Sequence, residues 1–418
     1  MSGARSLYQT CVAWSGPSYW WQLDPILALS KHGIDTYYAA MLTARKIVRA
    51  ARLPEAAAYA IALPLIGWFS PRPASTASIV YQFWCNPDVV ELQAVFAPLR
   101  WRYSVSLVHR LVGSDILREE RSINGNRVVL LQRRSTAEAM ADAVSDGDND
   151  EEPERPTVMF VPGGAFISDF EAADLFFLYR WVRETDVLLV YASYDFAPQA
   201  PYPLPMMCVL RTYRALREHT HGLGFRASPL VVASLSAGCN LALSAVLAPL
   251  LHKRAPPEIA HELRVESLMP HAMLLLCPVV NICRSPSPSR ISFASDVLLP
   301  MPLLRAFGAA YDQESDHWME RDPLLSPVFA SDDVLRRLPP THIQCGGLDP
   351  LLDDSVDFNT RIRRVHVPGE LTIFRSLPHT FVSFPHWHAM PEVESAMRQS
   401  CALLRELCAP KFKRVALH

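Results

Sequence analysis

The chain has 418 residues, half of them hydrophobic and a fifth charged, which is enough for a large buried core and for two to three folding units. Forty basic and forty-two acidic residues leave a formal charge of -2, so no electrostatic case for nucleic-acid binding exists. Nine cysteines, odd in number and with no C-x-x-C pair, speak against a zinc ribbon or a disulfide framework and for a reducing, cytoplasmic compartment.

The first 116 residues hold six of the nine tryptophans and no chemical motif, and they read as a mainly helical cap or extension. Within them, residues 39–58 carry Arg45, Lys46, Arg49 and Arg52 among apolar residues at helical spacing. Ala56 to Phe69 is uncharged, but its 14 residues fall short of a bilayer span and include Pro64. A buried or interfacial segment is expected there. Residues 39–69 are thus a packing extension first and a peripheral membrane contact second.

From residue 117 the texture changes. Asn124-Gly125, between REERSI and NRVVLLQRR, marks a tight hairpin. An acidic stretch over about 138–156, densest at Asp146–Glu154, reads as a solvated loop insertion. Beyond it, strands expected at Thr157–Val161, Val187–Ala192, Leu230–Ala233, Met273–Cys277, His342–Cys345 and Leu371–Phe374 alternate with helical stretches. The helices fall at 172–184, 204–219, 237–251, 297–311, 352–364 and 391–407. Near-continuously apolar strands separated by helices predict an α/β fold, a mostly parallel central sheet with helices on both faces. The run from Leu230 to Leu251 is long enough to mimic a membrane span. Its small polar centre, SLSAGCN, instead predicts a strand, a turn and a buried helix.

Reactive groups in such sheets sit at the carboxyl ends of strands. Three strand ends qualify. Ser236, in Ser234-Leu235-Ser236-Ala237-Gly238, falls on a strand-to-helix turn that would raise its hydroxyl above the sheet, although an ordinary serine cap would look similar. Gly163-Gly164 after TVMFV could turn backbone N–H groups to one point. Asp349, in GGLDP, and His379, in LPHTF, follow successive strands. His386 and His388 come later and read as surface or packing residues. Neither a zinc-binding His-Glu-x-x-His nor a nucleotide loop occurs, so no metal and no cofactor is expected.

In order along the chain, VPGGAF, SYDFAPQAPYPLP, SLSAGCNLAL, RDPLLSP, GGLDPLLDD and HTFVSF resemble the blocks of the hormone-sensitive-lipase-like α/β-hydrolases. The resemblance runs from about Arg118 to the end and implies an α/β-hydrolase fold over 117–418. It further implies a serine carboxylic-ester hydrolase acting on a small-molecule or lipid ester. Ser236 would be the nucleophile, His379 the base and Asp349 the orienting acid, with Gly164, Ala165 and Ala237 as the oxyanion hole. Pro162 stands where the family has histidine, Ala165 where it has the last glycine, Leu235 beside the serine and Gln199 for a glutamate. These departures keep open a second expectation, a weak or inactive ligand-binding protein on the same fold. Acyl length and oligomeric state are not readable.

Overall fold

The structure is a computed structural model and describes residues 87–145, 152–254, 260, 262–263, 269–282, 287–293, 296, 299–313, 322–383 and 391–409. The expectations placed on 1–86, which include the 39–69 segment, and on His386 and His388 lie outside these residues. So does most of the acidic run.

The described part of the expected N-terminal extension is helical over α1 (Val89–Phe96) and α2 (Arg102–Val112). A hairpin follows, β1 (Ile116–Ile123) and β2 (Asn126–Arg133), turned by Asn124 at φ 51° and Gly125 at φ 83°. Both central residues have the positive φ that a type I′ turn requires. The loop expected from about 138 is corrected in its first part. Residues 134–145 form α3 (Arg134–Ser145), and β3 already begins at Glu154. The reason is local: RSTAEAMADAVS is rich in alanine, and its acids stand singly until Asp146, so helix propensity prevails over charge.

The remaining elements alternate. They are β3 (Glu154–Val161), α4 (Glu171–Thr185), β4 (Leu188–Ala192), α5 (Leu204–Glu218), β5 (Arg226–Leu235), α6 (Ala237–Leu251) and β6 (Ala272–Leu276). Then come α7 (Pro288–Ser292), α8 (Met301–Tyr311), α9 (Asp332–Leu335), β7 (Thr341–Gly346), α10 (Leu352–Arg364), β8 (Leu371–Phe374) and α11 (Pro391–Leu407). One sheet takes the order β1-β2-β4-β3-β5-β6-β7-β8. The pairs β1–β2 and β2–β4 are antiparallel, and every pair from β4 to β8 is parallel. The mostly parallel sheet expected from the apolar runs is therefore observed. The runs are apolar because both sheet faces are covered: α5, α6 and α10 pack on one, α2, α4 and α11 on the other.

The second face shows how the core is secured. Trp181 and Phe177 of α4 are fully buried against Phe160 of the sheet, which itself packs on Tyr191, while the buried Tyr179 meets His109 of α2. Burying an aromatic ring of this size stabilises by about 2–3 kcal/mol. The one polar atom of Trp181 is satisfied, since its Nε1 donates to Ser400 Oγ of α11 at 2.9 Å. Leu230–Leu251 is β5 followed by α6, and among the described residues no helix is long and apolar enough to cross a membrane. The six described cysteines are all buried and unpaired.

Candidate active site

The site is assembled at the carboxyl ends of β3, β5, β7 and β8. Ser236 lies between β5 and α6 with φ 52° and ψ -119°, a strained conformation for a residue with a Cβ. Its neighbours make the strain tolerable. Its N–H donates to Leu276 O at 2.9 Å, and its carbonyl accepts from Cys239 N and Val279 N. Gly238 is required by space: a Cβ there would stand 2.3 Å from Val161 O and 2.4 Å from Pro162 O. The close approach of α6 to the β3 loop is thus bought by the absence of a side chain two positions after the serine.

The acid and the imidazole arrive from the next strands. Asp349 follows β7 and is fully buried, and its Oδ1 accepts the Leu351 N–H at 2.8 Å. His379 follows β8 on a loop whose next residue, Thr380, also has positive φ. His379 Nδ1 lies 2.8 Å from Asp349 Oδ2, and its Nε2 lies 2.8 Å from Ser236 Oγ. The three side chains singled out in the sequence therefore form one hydrogen-bonded line, each less than a tenth exposed.

Facing Ser236 is the turn after β3. Gly164, Ala165 and Phe166 have φ of 115°, 57° and 66°, so the chain runs left-handed through three successive residues, two of which carry a Cβ. The Gly164 carbonyl accepts from Ile167 N and Ser168 N. No hydrogen bond runs from the N–H of Gly164, Ala165 or Ala237 to another described residue. Donors left unspent in the turn beside Ser236 and at the next residue, Ala237, are of the kind that an anionic oxygen needs.

Several supporting residues were not singled out in the sequence. The buried Tyr194 hydroxyl is shared between Pro162 O at 3.2 Å and Gly163 O at 3.3 Å, bracing the loop where proline has removed an N–H. Gln93 of α1 reaches the same region, and its Nε2 lies 3.0 Å from Ile167 O and 2.8 Å from Ala197 O. Gln93 and Gln199 also exchange amide hydrogen bonds at 3.0 Å, so the glutamine at 199 has a partner. Phe166 stacks on Tyr311 of α8 with ring centroids 4.0 Å apart. On the acid's side, Ser289 Oγ donates to Pro350 O at 2.9 Å, while Arg290 and Asp354 form a buried ion pair at 2.6 Å. Tyr194 lies in a block that could have flagged it. Gln93 and Ser289 lie in stretches without any motif, and only the fold brings them near.

Cys277 was visible only as a strand end. Its thiol, an Asp349 oxygen and a His379 nitrogen lie within 4.8 Å of one another. Burial pushes this thiol well above the usual range, and the nearby Asp349 charge adds to the effect. A neutral thiol beside an acid and an imidazole already bonded to each other is a poor metal ligand. Next to the β3 turn, burial likewise raises the Asp169 carboxyl to about 6, against the Arg100 guanidinium 3.3 Å away.

Residues 158–383 match a family model described as alpha/beta hydrolase fold, which covers more than half of the chain. The chain belongs to this family, in its hormone-sensitive-lipase-like branch. An esterase of Acinetobacter venetianus is 27% identical over 240 residues, 57% of this chain and 71% of that one. Hormone-sensitive lipase of Bos taurus is 36% identical over 110 residues, but these are only 23% of this chain and 15% of the lipase. Among solved structures, carboxyl esterase 2 of Tuber melanosporum superimposes with a TM-score of 0.59 at 18% identity, covering 71% of this chain and 89% of its own. An esterase of Pyrobaculum calidifontis gives 0.59 at 20%, covering 79% and 97%. At such identities these superpositions establish the fold.

Proposed function

We propose that this protein hydrolyses carboxylic esters through an acyl-enzyme formed on Ser236. The observation that carries the reading is the pair of 2.8 Å contacts, Ser236 Oγ to His379 Nε2 and His379 Nδ1 to Asp349 Oδ2. The strained serine backbone and the unspent N–H groups opposite support it.

Asp349 accepts a hydrogen bond from Nδ1–H of His379 and so holds the tautomer whose Nε2 is free to accept a proton. Ser236 Oγ transfers its proton to Nε2 as it attacks the ester carbonyl. The carbonyl oxygen, now negative, takes hydrogen bonds from the N–H groups of Gly164, Ala165 and Ala237. Aimed donors of this kind contribute about 10²–10³ in rate each. His379 then passes the proton to the leaving alkoxide and the acyl group stays on Ser236. A water that gives its proton to the same Nε2 then attacks the acyl carbon, and His379 returns that proton to Ser236 Oγ as the acid leaves. Pro162 does not disable this scheme, because the donors come from positions 164, 165 and 237 and Tyr194 braces the carbonyls of 162 and 163. The substrate class is a small-molecule or lipid-like ester, and no cofactor takes part. Several relatives are called esterases or lipases, which fits this class.

The test is a p-nitrophenyl ester series from acetate to palmitate, with fluorophosphonate labelling in parallel. Turnover and labelling are expected in the wild type. Ser236→Ala should lose label and about 10⁴–10⁶ in kcat. Tight ligand binding with no turnover of any ester, or labelling that survives Ser236→Ala, would overturn the reading.

A further inference from the structure

The outer face of α2 is unlike the rest of the surface. On this helix Val105 and Val108 point into the core, whereas Tyr103, Leu107 and Leu111 follow one another at four-residue spacing along the other side. Trp101 just before the helix is 53% exposed, Tyr103 69% and Leu111 39%. Beside this strip stand Arg102 and Arg110, both exposed and without an ion-pair partner among the described residues. No Asp or Glu occurs between Glu91 and Asp115. Of the acids that follow α2, Asp115 pairs with Arg183, Glu119 with Arg121 and Glu120 with Arg127, and Arg102 adds a weaker attraction for the Glu120 carboxylate.

We propose that this face, with Trp101, docks on an anionic phospholipid bilayer. An apolar strip with Trp and Tyr at its edge and arginines alongside is the pattern of a helix lying in the membrane interface. The rings and leucines enter the acyl boundary, and the arginines extend to the phosphates. Charge decides between occupants. Residues 1–86 carry seven Lys or Arg and only three Asp or Glu, so this chain's own N-terminal segment is a poor cover for a basic face and adds to its attraction for anionic lipid. A second copy would present the same sign. The position is also suited to an ester taken from a membrane. Arg100, next to Trp101, sits on Asp169 and over the Phe196 ring, and Asp169 lies five residues after Gly164 in the turn that faces Ser236. Docking here therefore brings the lipid surface beside the oxyanion turn. The proposal concerns binding and does not require the hydrolytic reading.

The experiment is co-flotation of the full chain with phosphatidylcholine vesicles, with and without about 30% phosphatidylserine, a fraction that gives a plasma-membrane-like surface potential. It is run on the wild type and on Ser236→Ala, so that loss of activity and loss of docking are read separately. Both proteins should float with the anionic vesicles and release as salt rises. W101S/Y103S/L111S should lower partition at least about tenfold on both vesicle types, because it removes the apolar insertion. R102Q/R110Q should lower it about 25-fold on anionic vesicles only, at about fivefold per arginine. Hydrolysis of soluble p-nitrophenyl acetate and the melting temperature serve as folding controls, and the arginine pair, being exposed, remains informative if the triple variant misfolds. A wild type that does not float overturns the proposal. So do variants that float like the wild type, which would place the contact elsewhere, such as 39–69. Loss of a dimer in the variants without vesicle binding would make the face a self-association surface instead.

Discussion

The antiparallel edge of the sheet and its parallel half use the same backbone conformation for opposite ends. At the β1–β2 turn, positive φ at Asn124 and Gly125 closes a hairpin that faces open space. At the carboxyl ends of the parallel strands, positive φ recurs at Ala165, Phe166, Ser236, Cys277 and Thr380, none of them Gly, Asn or Asp. In the first place the conformation is what the residues prefer. In the second it is imposed, at about 1–3 kcal/mol per residue, and persists because packing over-determines it. Ser236 is held by Leu276 O, Cys239 N and Val279 N, and the turn after β3 by Tyr194, Gln93 and the Phe166–Tyr311 stack. Strain gathers where chemistry is proposed, and the edge is relaxed.

If that contrast is right, substitutions at the parallel strand ends should cost activity far more than those at the edge. The largest effect is expected at Asp349. Asp349→Asn keeps the volume but offers His379 Nδ1 an amide, so the ring no longer presents the accepting Nε2 to Ser236. A fall of about 10⁴ in kcat, with KM little changed, is expected from steady-state ester kinetics. Next comes Gly238→Ala. Its methyl group would press on Val161 O and Pro162 O, forcing apart the turn that offers the N–H groups and the helix behind the serine. A shift near 1 Å at reacting atoms costs about 10² in kcat/KM. Overpacking adds a stability loss of about 1–3 kcal/mol, measurable by denaturant unfolding. Wild-type kinetics for this variant would mean that the close approach is incidental.

How much of this was legible beforehand depended on the kind of signal. Strands buried on both faces announce themselves by composition, and five of the six expected helices lie within two residues of the observed bounds. The sixth, expected over 297–311, starts at Met301, where Pro300 and Pro302 bracket the first turn. The three side chains of the hydrogen-bonded line stood out because each lies within five residues of a strand end. Residues acting through carbonyl groups did not: Gln93 and Ser289 are chosen by where distant backbone happens to pass, which no local pattern records, and Tyr194, although inside a recognisable block, has partners that only the fold brings to it. The α3 helix is obscured for another reason: the dense acidic run from Asp146 adjoins it, and on composition alone the two merge into one charged stretch.

A smaller effect separates electrostatic strain from backbone strain. Burial raises the Asp169 carboxyl to about 6 in the folded chain, against about 3.9 when unfolded. The folded state then binds the extra proton between these values. Stability from this group is full below about pH 4, falls as pH rises, and is constant above about 6. Asp169→Asn removes the buried charge, so the variant should match the wild type in acid and exceed it by on the order of 2 kcal/mol at about pH 8. Thermal melts across that range check the sign. A variant less stable at every pH would show instead that the Arg100 ion pair outweighs the cost of burial.

The smallest effect belongs to the edge and completes the contrast. Gly125 has φ 83° with nothing within 4 Å of where a Cβ would stand, so Gly125→Ala meets no clash and carries only the left-handed penalty. That penalty is about 1–2 kcal/mol, comparable to the strain that a single residue such as Ser236 holds by design. The same local cost at the hairpin should leave kcat/KM unchanged, because the turn lies at the edge strands and no hydrogen bond links it to Ser236, Asp349 or His379. Unfolding curves and ester kinetics on one preparation test both halves. Loss of activity in step with stability would show that the edge hairpin and the site behave as one unit, and the division between relaxed edge and strained strand ends would have to be abandoned.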